Sequence, residues 1–583
     1  FEEDALAFYK PFPLKKMGLF TLAKYILGIL SAADYIVMTL ATLAVVFIGM
    51  FTPKFNNLLF SYVLPSGSMQ VLLSVFIFMI CISIAGVLLN TVKNVLIARI
   101  DTKMNVSVEA ATMMRMMSLP ANFFRKYSAG ELSSRVSQMN SLCEILVSTV
   151  FSTGLTSVFS LVYIQQIFSF APALAGEALA IIIVTTCFSV ISFVVQTEIT
   201  QKQMEVAGKE SGMTYAMIAG IQKIKLTGSE KRAFARWGDL YAEEAALLYN
   251  PPLFLKINSV ISTGISLLGT IVLYYSAVME KVSVADYYAF NTAYSMVAGA
   301  ILSLANIAFS VAQIRPALKM IAPIFDEVPE TAERKRMLEK ISGEVELNHV
   351  SFRYDEKMPL ILNDLSLKIQ SGQYVAIVGK TGCGKSTLMR LLLGFEKPQQ
   401  GAIYYDGKDL EKLDLKSVRR KIGVVMQNGK LLQGDIYSNI VLSAPWLTQE
   451  DAWEAAEIAG IAEDIRKMPM GMSTMISEGS GGISGGQKQR IMIARAIASK
   501  PKILMLDEAT SALDNPTQKK ISEALDSMQC TRIIIAHRLS TIKQCDRVIV
   551  LDKGKIIEDG TYQELMDKKG FFMELVARQQ VEN

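Results

Sequence analysis

The sequence predicts a bundle of six membrane-spanning α-helices fused to an α/β domain that carries a phosphate-binding loop. At 583 residues the chain is long enough for more than one domain. Apolar residues make up 51% of the chain and are concentrated in long runs before residue 313, whereas the composition from about residue 340 onward is that of a water-soluble domain. We therefore expect a membrane domain at 1–325, a linker at 326–342 and an α/β domain at 343–583.

Six apolar runs have about the length, roughly 20 residues, that an α-helix needs to cross a bilayer core. They lie at 33–51, 69–91, 145–167, 171–195, 257–279 and 288–311. Six such runs in succession argue against the alternative that they are buried helices of a large soluble protein. Gly, Ser and Thr within the runs are typical of packed membrane helices.

The connections between the runs alternate short and long, and basic residues follow that alternation. The connection after the second run carries Lys93, Arg99, Lys103, Arg115, Arg125, Lys126 and Arg135, and the connection after the fourth carries Lys202, Lys209, Lys223, Lys225, Lys231, Arg232 and Arg236. The positive-inside rule places both long connections in the cytoplasm, together with the N-terminal segment. This accounts for the net charge of +5, so charge predicts no nucleic-acid partner. Both connections look helical, with short pieces near 119–127 and 220–229 at their tips.

A phosphate-binding loop follows the apolar run Val375–Val378, which predicts a buried strand. Its pattern is Gly-x4-Gly-Lys-Ser, and the residues expected to contact the phosphates of ATP are Gly379, Lys380, Thr381, Gly382, Cys383, Gly384, Lys385, Ser386 and Thr387. The glycines let backbone N–H groups converge on a phosphate at the start of a helix. Lys385 is expected to reach the β- and γ-phosphates, and the Ser386 hydroxyl to hold Mg²⁺.

A second predicted strand, at Ile503–Leu506, ends in Asp507 and Glu508. A carboxylate at the carboxyl end of a buried strand can hold Mg²⁺, which is the role expected for Asp507. Glu508 beside it is the candidate general base for the attacking water. This pattern is common at strand ends, so alone it leaves a purely structural role open.

Between these two motifs stands Ile483-Ser484-Gly485-Gly486-Gln487, which resembles the signature of ATP-binding cassette (ABC) ATPases, with Ile in place of the usual Leu. The Gly-rich residues 484–486 are predicted to open a helix that continues through Arg490, so that N–H groups and a hydroxyl face an anion. The resemblance implies that Ser484, Gly485, Gly486 and Gln487 bind the γ-phosphate of ATP held by a second cassette. It also implies an adenine-stacking role for Tyr354, contact with Mg²⁺ and the attacking water for Gln427, communication between sites for Ser511, Ala512, Leu513 and Asp514, and γ-phosphate contact for the catalytic residue His537. The second histidine, His349, is expected to be structural.

Six spans followed by one cassette are similar to a bacterial ABC exporter half-transporter of the type I/IV fold. The resemblance implies an ATPase with ATP and Mg²⁺ as cofactors, in the bacterial inner membrane with its cassette in the cytoplasm, that exports cargo by alternating access. Its partner is a second half-transporter: intact nucleotide motifs favour a homodimer, and a heterodimer with a peptidase-bearing subunit is the alternative. A soluble ABC protein would lack the spans. A channel would be expected to have lost catalytic residues that are present here.

Four stretches resemble the ATP-binding subunits of nitrile-hydratase-leader microcin export systems. They are residues 5–13, 63–67, 426–434 and 476–482. The resemblance implies a ribosomally made peptide or bacteriocin as cargo, with a lipid or hydrophobic drug as the alternative. No cysteine precedes Cys81, so no N-terminal cysteine protease is predicted in this chain. Because the chain opens on Phe1, we expect its natural start to be missing.

Overall fold

A computed structural model describes residues 9–127, 129–330, 335–427, 429–476, 482–508, 515–536 and 538–582. The chain divides into two compact units. The first contains the residues up to 329 except 120–122, and the second contains 120–122 and the residues from 330 onward.

Over its described residues, the regular elements of the first unit are all helices. Its α-helices are α1 (Leu19–Leu27), α2 (Ala32–Gly49), α3 (Phe51–Leu58), α4 (Leu64–Ser66), α5 (Met69–Met117), α6 (Ala129–Glu144), α7 (Gly154–Ser160), α8 (Tyr163–Phe170), α9 (Pro172–Ala219), α10 (Ile221–Thr227), α11 (Glu230–Tyr249), α12 (Leu253–Met279) and α13 (Val284–Asp326). A 3₁₀ turn at Phe123–Arg125 lies at the tip of the first long connection, and α10 lies at the tip of the second.

The long helices confirm the predicted membrane bundle. Helices α5 and α9 have 49 and 48 residues, or roughly 70 Å each at 1.5 Å per residue, enough to cross a bilayer and continue well beyond it. Among the described residues, five helical segments are long and apolar enough to span a membrane: Ala32–Ser66, Met69–Met117, Gly130–Phe170, Pro172–Ala219 and Glu230–Met279. The sixth predicted run lies within α13.

Close helix contacts in this unit depend on small residues. A side chain at Gly49 would place its Cβ 2.2 Å from the Tyr163 hydroxyl, which donates to the Val46 carbonyl at 2.7 Å. A Cβ at Gly269 would lie 2.8 Å from Ile181. Glycine at these two positions therefore allows a side chain of one helix to contact the backbone of its neighbour, as in other membrane bundles. In the described part of this unit, the π-helical segments Leu59–Val63 and Ile145–Thr153 interrupt the α-helices and were not expected from the sequence.

The second unit is an α/β domain. Its strands are β1 (Val345–Phe352), β2 (Leu362–Ile369), β3 (Tyr374–Val378), β4 (Gln400–Tyr405), β5 (Lys408–Asp409), β6 (Ile422–Val425), β7 (Gly434–Asp435), β8 (Met475–Ile476), β9 (Ile503–Asp507), β10 (Thr531–Ile535), β11 (Arg547–Asp552) and β12 (Lys555–Gly560). Its helices are α14 (Lys385–Leu392), α15 (Leu415–Arg419), α16 (Ile436–Ile440), α17 (Gln449–Ile458), α18 (Ala462–Lys467), α19 (Gly485–Ile497), α20 (Asn515–Asp526), α21 (Leu539–Ile542), α22 (Tyr562–Asp567) and α23 (Phe571–Glu582).

The main sheet has the order β12-β11-β3-β10-β9-β6 and is parallel except for β12. A separate antiparallel sheet has the order β2-β1-β4-β5. The two strands predicted from the motifs are β3 and β9, both buried along their whole length and separated by β10 alone. The carboxyl ends of parallel strands meet at one edge of a sheet. The loop after β3 and the acidic pair at the end of β9 therefore share that edge.

Two polar clusters fix the chain at the start of this domain. Arg419 forms a two-pronged ion pair with Glu330, at 2.8 and 3.1 Å, and also donates to two carbonyls after α14. Asp406 accepts from the Ser342 hydroxyl at 2.6 Å and from the backbone N–H of Glu344 at 3.0 Å. Burial by itself would raise the pKa of Asp406, but these and neighbouring hydrogen bonds outweigh it and lower the pKa below its usual value.

Candidate nucleotide-binding site

The loop between β3 and α14 can be built only with glycine at its two ends. A Cβ at Gly379 would lie 2.1 Å from the Leu551 carbonyl oxygen of the neighbouring strand. Gly384 has φ +109°, a left-handed conformation that side chains resist, and it is the residue from which α14 begins. The N-terminus of α14 therefore follows directly on a tight glycine turn, the arrangement that makes an anion site from backbone N–H groups and the helix dipole.

Lys385 lies folded over this loop. Its side chain is buried, and Nζ donates to the carbonyl oxygens of Gly379 at 2.7 Å and Lys380 at 3.0 Å. The Cys383 sulfur lies 4.0 Å from the same ammonium. Burial raises the pKa of the Cys383 thiol, which keeps it a neutral packing group at pH 7. The loop thus holds one buried positive charge close to its backbone.

Of the remaining residues of the phosphate-binding motif, some are exposed to solvent and others are buried. Thr381, Gly382 and Ser386 are exposed at the loop surface, whereas Thr387 is buried. The Tyr354 hydroxyl lies 3.2 Å from the Thr387 hydroxyl, so the aromatic ring expected to stack on adenine stands beside the first turn of α14.

The acidic pair meets the predicted glutamine at the end of β9. Asp507 is 2% exposed, and Glu508 follows it with φ +51°, a conformation uncommon for a residue with a side chain. Gln427, which follows β6, donates from Nε2 to the Glu508 carboxylate at 2.8 Å. Two of the three predicted catalytic residues are thus in direct contact, although 81 positions separate them. Non-glycine residues held at positive φ often occur at functional sites.

The residues present fit a magnesium ion. The predicted ligands Ser386, Asp507 and Gln427 offer a hydroxyl, a carboxylate and an amide oxygen, which are the hard oxygen donors that Mg²⁺ prefers. Because Gln427 uses its nitrogen to bind Glu508, its amide oxygen is the atom available to a metal. Among the described residues, no group of three His, Cys, Asp or Glu side chains is placed to hold a metal by itself.

The signature residues open a helix, as the sequence predicts. Ser484 caps α19: its hydroxyl accepts from the Gln487 backbone N–H at 3.2 Å, and the Gln487 amide oxygen accepts from the Ser484 N–H at 3.0 Å. Gln487 also donates to Asp464 at 3.2 Å, and Arg490 forms an ion pair with the same carboxylate at 3.1 Å. Ser484 and Gly485 remain exposed at the helix N-terminus, where N–H groups and a hydroxyl can meet an anion.

Some predicted residues lie outside the part of the chain that the structure describes. These are His537 and the loop Ser511, Ala512, Leu513 and Asp514. His349 is described: its Nδ1 lies 2.6 Å from Asp364 in an exposed pair where β1 and β2 meet.

Two contacts at the site were missed by sequence reasoning. Asp464 anchors the signature helix, and the Lys380 ammonium lies 4.7 Å from the centre of the Phe571 ring at the start of α23. Both partners are distant in sequence and sit in no recognisable motif, so no local signal could have identified them.

Comparison with known families gives the class of protein. Residues 35–301 match the family model described as ABC transporter transmembrane region, and residues 362–511 match the model described as ABC transporter. Together these two regions cover more than half of the chain. The chain therefore belongs to the ABC transporters, and a membrane region followed by one cassette makes it an exporter half-transporter.

Individual relatives cover nearly the whole chain. It is 31% identical over 539 residues to the alpha-hemolysin translocation ATP-binding protein HlyB of Escherichia coli O157:H7, covering 90% of this chain and 75% of that protein. It is 30% identical over 557 residues to the cyclolysin secretion/processing ATP-binding protein CyaB of Bordetella pertussis, covering 93% and 77%. A solved structure of a bacterial Atm1-family ABC exporter with ATP bound matches with TM-score 0.85 and 26% identity, covering 96% and 99%.

These matches confirm several predictions made from the sequence. The protein is a multi-pass membrane ABC exporter whose ATP-binding domain lies on the cytoplasmic side and whose ATPase activity is coupled to transport. The relatives HlyB and CyaB are named for the translocation of alpha-hemolysin and for the secretion or processing of cyclolysin. The finer resemblance to microcin export systems stays a prediction.

Proposed function

We propose that this chain exports a peptide or protein across the bacterial inner membrane, using ATP hydrolysed at the site described above. The observation that carries the proposal is the likeness, over about nine-tenths of the chain, to proteins named for the translocation or secretion of hemolysin and cyclolysin. The microcin-type resemblance of the sequence also favours a ribosomally made peptide. The alternative cargo is a lipid or a hydrophobic drug.

Each side chain of the site has a proposed task. Lys385 and the backbone N–H groups of its loop bind the β- and γ-phosphates. The oxygen atoms of Ser386, Asp507 and Gln427 would hold Mg²⁺, which would supply positive charge to neutralise the phosphates. Glu508 accepts a proton from the attacking water, and its contact with Gln427 supports this role because it fixes the direction of the carboxylate.

The signature helix supports a functional unit of two chains. Ser484 and the N-terminus of α19 present anion-binding groups that we propose contact ATP bound to the partner chain. ATP then joins two cassettes, and hydrolysis removes charge-assisted bonds so that the cassettes separate. We propose a homodimer, because one chain carries every motif that a competent site needs. Mass measurement of the purified complex distinguishes it from a heterodimer with a peptidase-bearing subunit.

The cargo is tested by transport into inside-out membrane vesicles. Candidate peptides bearing a microcin-type leader, fluorescent lipids and hydrophobic dyes are offered in parallel, with ATP or with a non-hydrolysable analogue. We expect ATP-dependent accumulation of peptide alone, and none in vesicles that contain Glu508→Gln. Accumulation of lipid or dye without peptide would refute the peptide proposal, while leaving the ABC exporter assignment intact.

A further inference from the structure

A buried arginine lies in the last turn of α5, in the membrane unit. Arg115 is 3% exposed. Its guanidinium donates to five backbone carbonyls, and to no side chain among the described residues. Nε donates to Ile324 at 3.1 Å and Nη1 to Pro13 at 2.8 Å, while Nη2 donates to Lys15 at 3.1 Å, Phe325 at 2.9 Å and Glu327 at 3.1 Å. Within the described residues, no carboxylate oxygen lies within 4 Å of it.

The five carbonyls belong to two segments that are far from α5 in sequence. Pro13 and Lys15 lie in the N-terminal segment before α1, and the other three lie at the end of α13, where the chain leaves the membrane unit for the linker. Carbonyls in the last turn of a helix lack partners within the helix and carry the negative end of its dipole. A buried cation at this position is therefore stabilised without a carboxylate.

Packing around the guanidinium joins the same segments. The Phe325 ring lies 5.5 Å from the guanidinium carbon of Arg115, and Phe12 meets Phe325 edge-on at 5.3 Å. The Met17 N–H donates to the Phe325 carbonyl at 3.1 Å. Phe12 and Met17 are both buried. The N-terminal segment is therefore held against α13 by apolar contacts, and Arg115 adds hydrogen bonds from α5 to both.

Arginine is the side chain suited to this arrangement. Its planar group directs five N–H donors along fixed directions, whereas lysine has three donors on a single atom and cannot reach carbonyls on opposite sides. Hydrogen bonds to backbone carbonyls fix the position of the main chain itself rather than of a mobile side chain. The Arg115 side chain thus connects α5 to the backbones of the other two segments.

We propose that Arg115 is a positioning residue of the transport cycle, which makes the end of α5, the N-terminal segment 9–17 and the end of α13 move as one body. The end of α13 continues into the linker toward the ATP-binding domain. A displacement that reaches this end during the nucleotide cycle is passed through Arg115 to α5, a helix that runs into the membrane, and to the segment before the first span. Arg115 itself contacts neither nucleotide nor cargo.

The test is hydrogen–deuterium exchange of the intact protein in lipid nanodiscs, without nucleotide and with ATP and vanadate. Exchange is followed in peptides that cover 9–17, 111–118 and 320–328. In the unmodified protein we expect nucleotide to change exchange in all three together. In Arg115→Met we expect the change to persist in 320–328 but to fall at least fivefold in the other two, while ATP hydrolysis stays within threefold of the unmodified rate.

Two further variants make the outcome decisive. Lys103→Met removes an exposed cation from the same helix, where it pairs with Asp34 at 2.7 Å, and should leave the joint response unchanged. Arg115→Lys keeps the positive charge but loses the planar set of N–H donors, so it should also separate the three exchange responses. This variant decides the test if Arg115→Met does not reach the membrane. The proposal would be overturned if nucleotide did not change exchange in all three peptides of the unmodified protein. It would also be overturned if the Arg115 variants kept that common change in full, or if they lost it in all three peptides together with ATP hydrolysis.

Discussion

Replacement of Glu508 by Gln separates the proposed chemistry of the site from its geometry. The Glu508 carboxylate accepts a hydrogen bond from Gln427 at 2.8 Å, and the amide oxygen of a glutamine can accept the same bond. The change is isosteric, so the loop after β9 should keep its conformation. What is lost is the proton acceptor, and general-base catalysis contributes about 10²–10⁴-fold to a rate. We expect hydrolysis to fall about 10³-fold, or ~4 kcal/mol in activation free energy.

Phosphate release and the binding of a fluorescent ATP analogue measure the two effects separately. Affinity for the analogue should stay within about twofold, because no phosphate contact changes. Glu454→Gln is the matched control: Glu454 pairs with Lys500 at 2.9 Å on the exposed surface, and such pairs contribute little. Hydrolysis by Glu508→Gln within threefold of the unmodified protein would refute the proposed base. A loss of binding equal to the loss of hydrolysis would show that the substitution disturbs the site instead.

Three other predictions concern the same domain. Gly379→Ala should abolish ATP binding and lower the melting temperature, because its Cβ would lie 2.1 Å from the Leu551 carbonyl oxygen; unchanged nucleotide binding would contradict the role given to the close approach. Arg419→Met should lower the free energy of unfolding by about 1–3 kcal/mol, because it leaves the partly buried Glu330 unpaired. Denaturant titration measures this loss, and the control Lys500→Met should have almost no effect. Asp406→Asn should lower the melting temperature at pH 7. Folding lowers the pKa of Asp406, so the ionised carboxylate stabilises the folded protein above the unfolded-state pKa of about 3.9, and this stabilisation is lost as the pH falls below that value. A difference in melting temperature that persists unchanged at lower pH would refute that linkage.

The sequence motifs by themselves locate one edge of the sheet in the ATP-binding domain. Strands at β3 and β9 and helix starts at Lys385 and Gly485 were predicted because a buried strand needs an apolar run and a helix needs a start signal, and both are local properties. The contact between Gln427 and Glu508 was not predictable in the same way. It arises because β6 and β9 pair in parallel, which brings together side chains that are distant along the chain.

The same division applies to the membrane half. The length and apolar composition of each run predict the spans, because burying apolar side chains in the bilayer is favourable. The distribution of Lys and Arg between the connections predicts which side faces the cytoplasm. In the sequence Arg115 is one of several basic residues that mark a cytoplasmic connection. Only the tertiary structure decided that it is buried against five carbonyls, because those acceptors lie roughly 100 and 210 positions away and carry no side-chain signature.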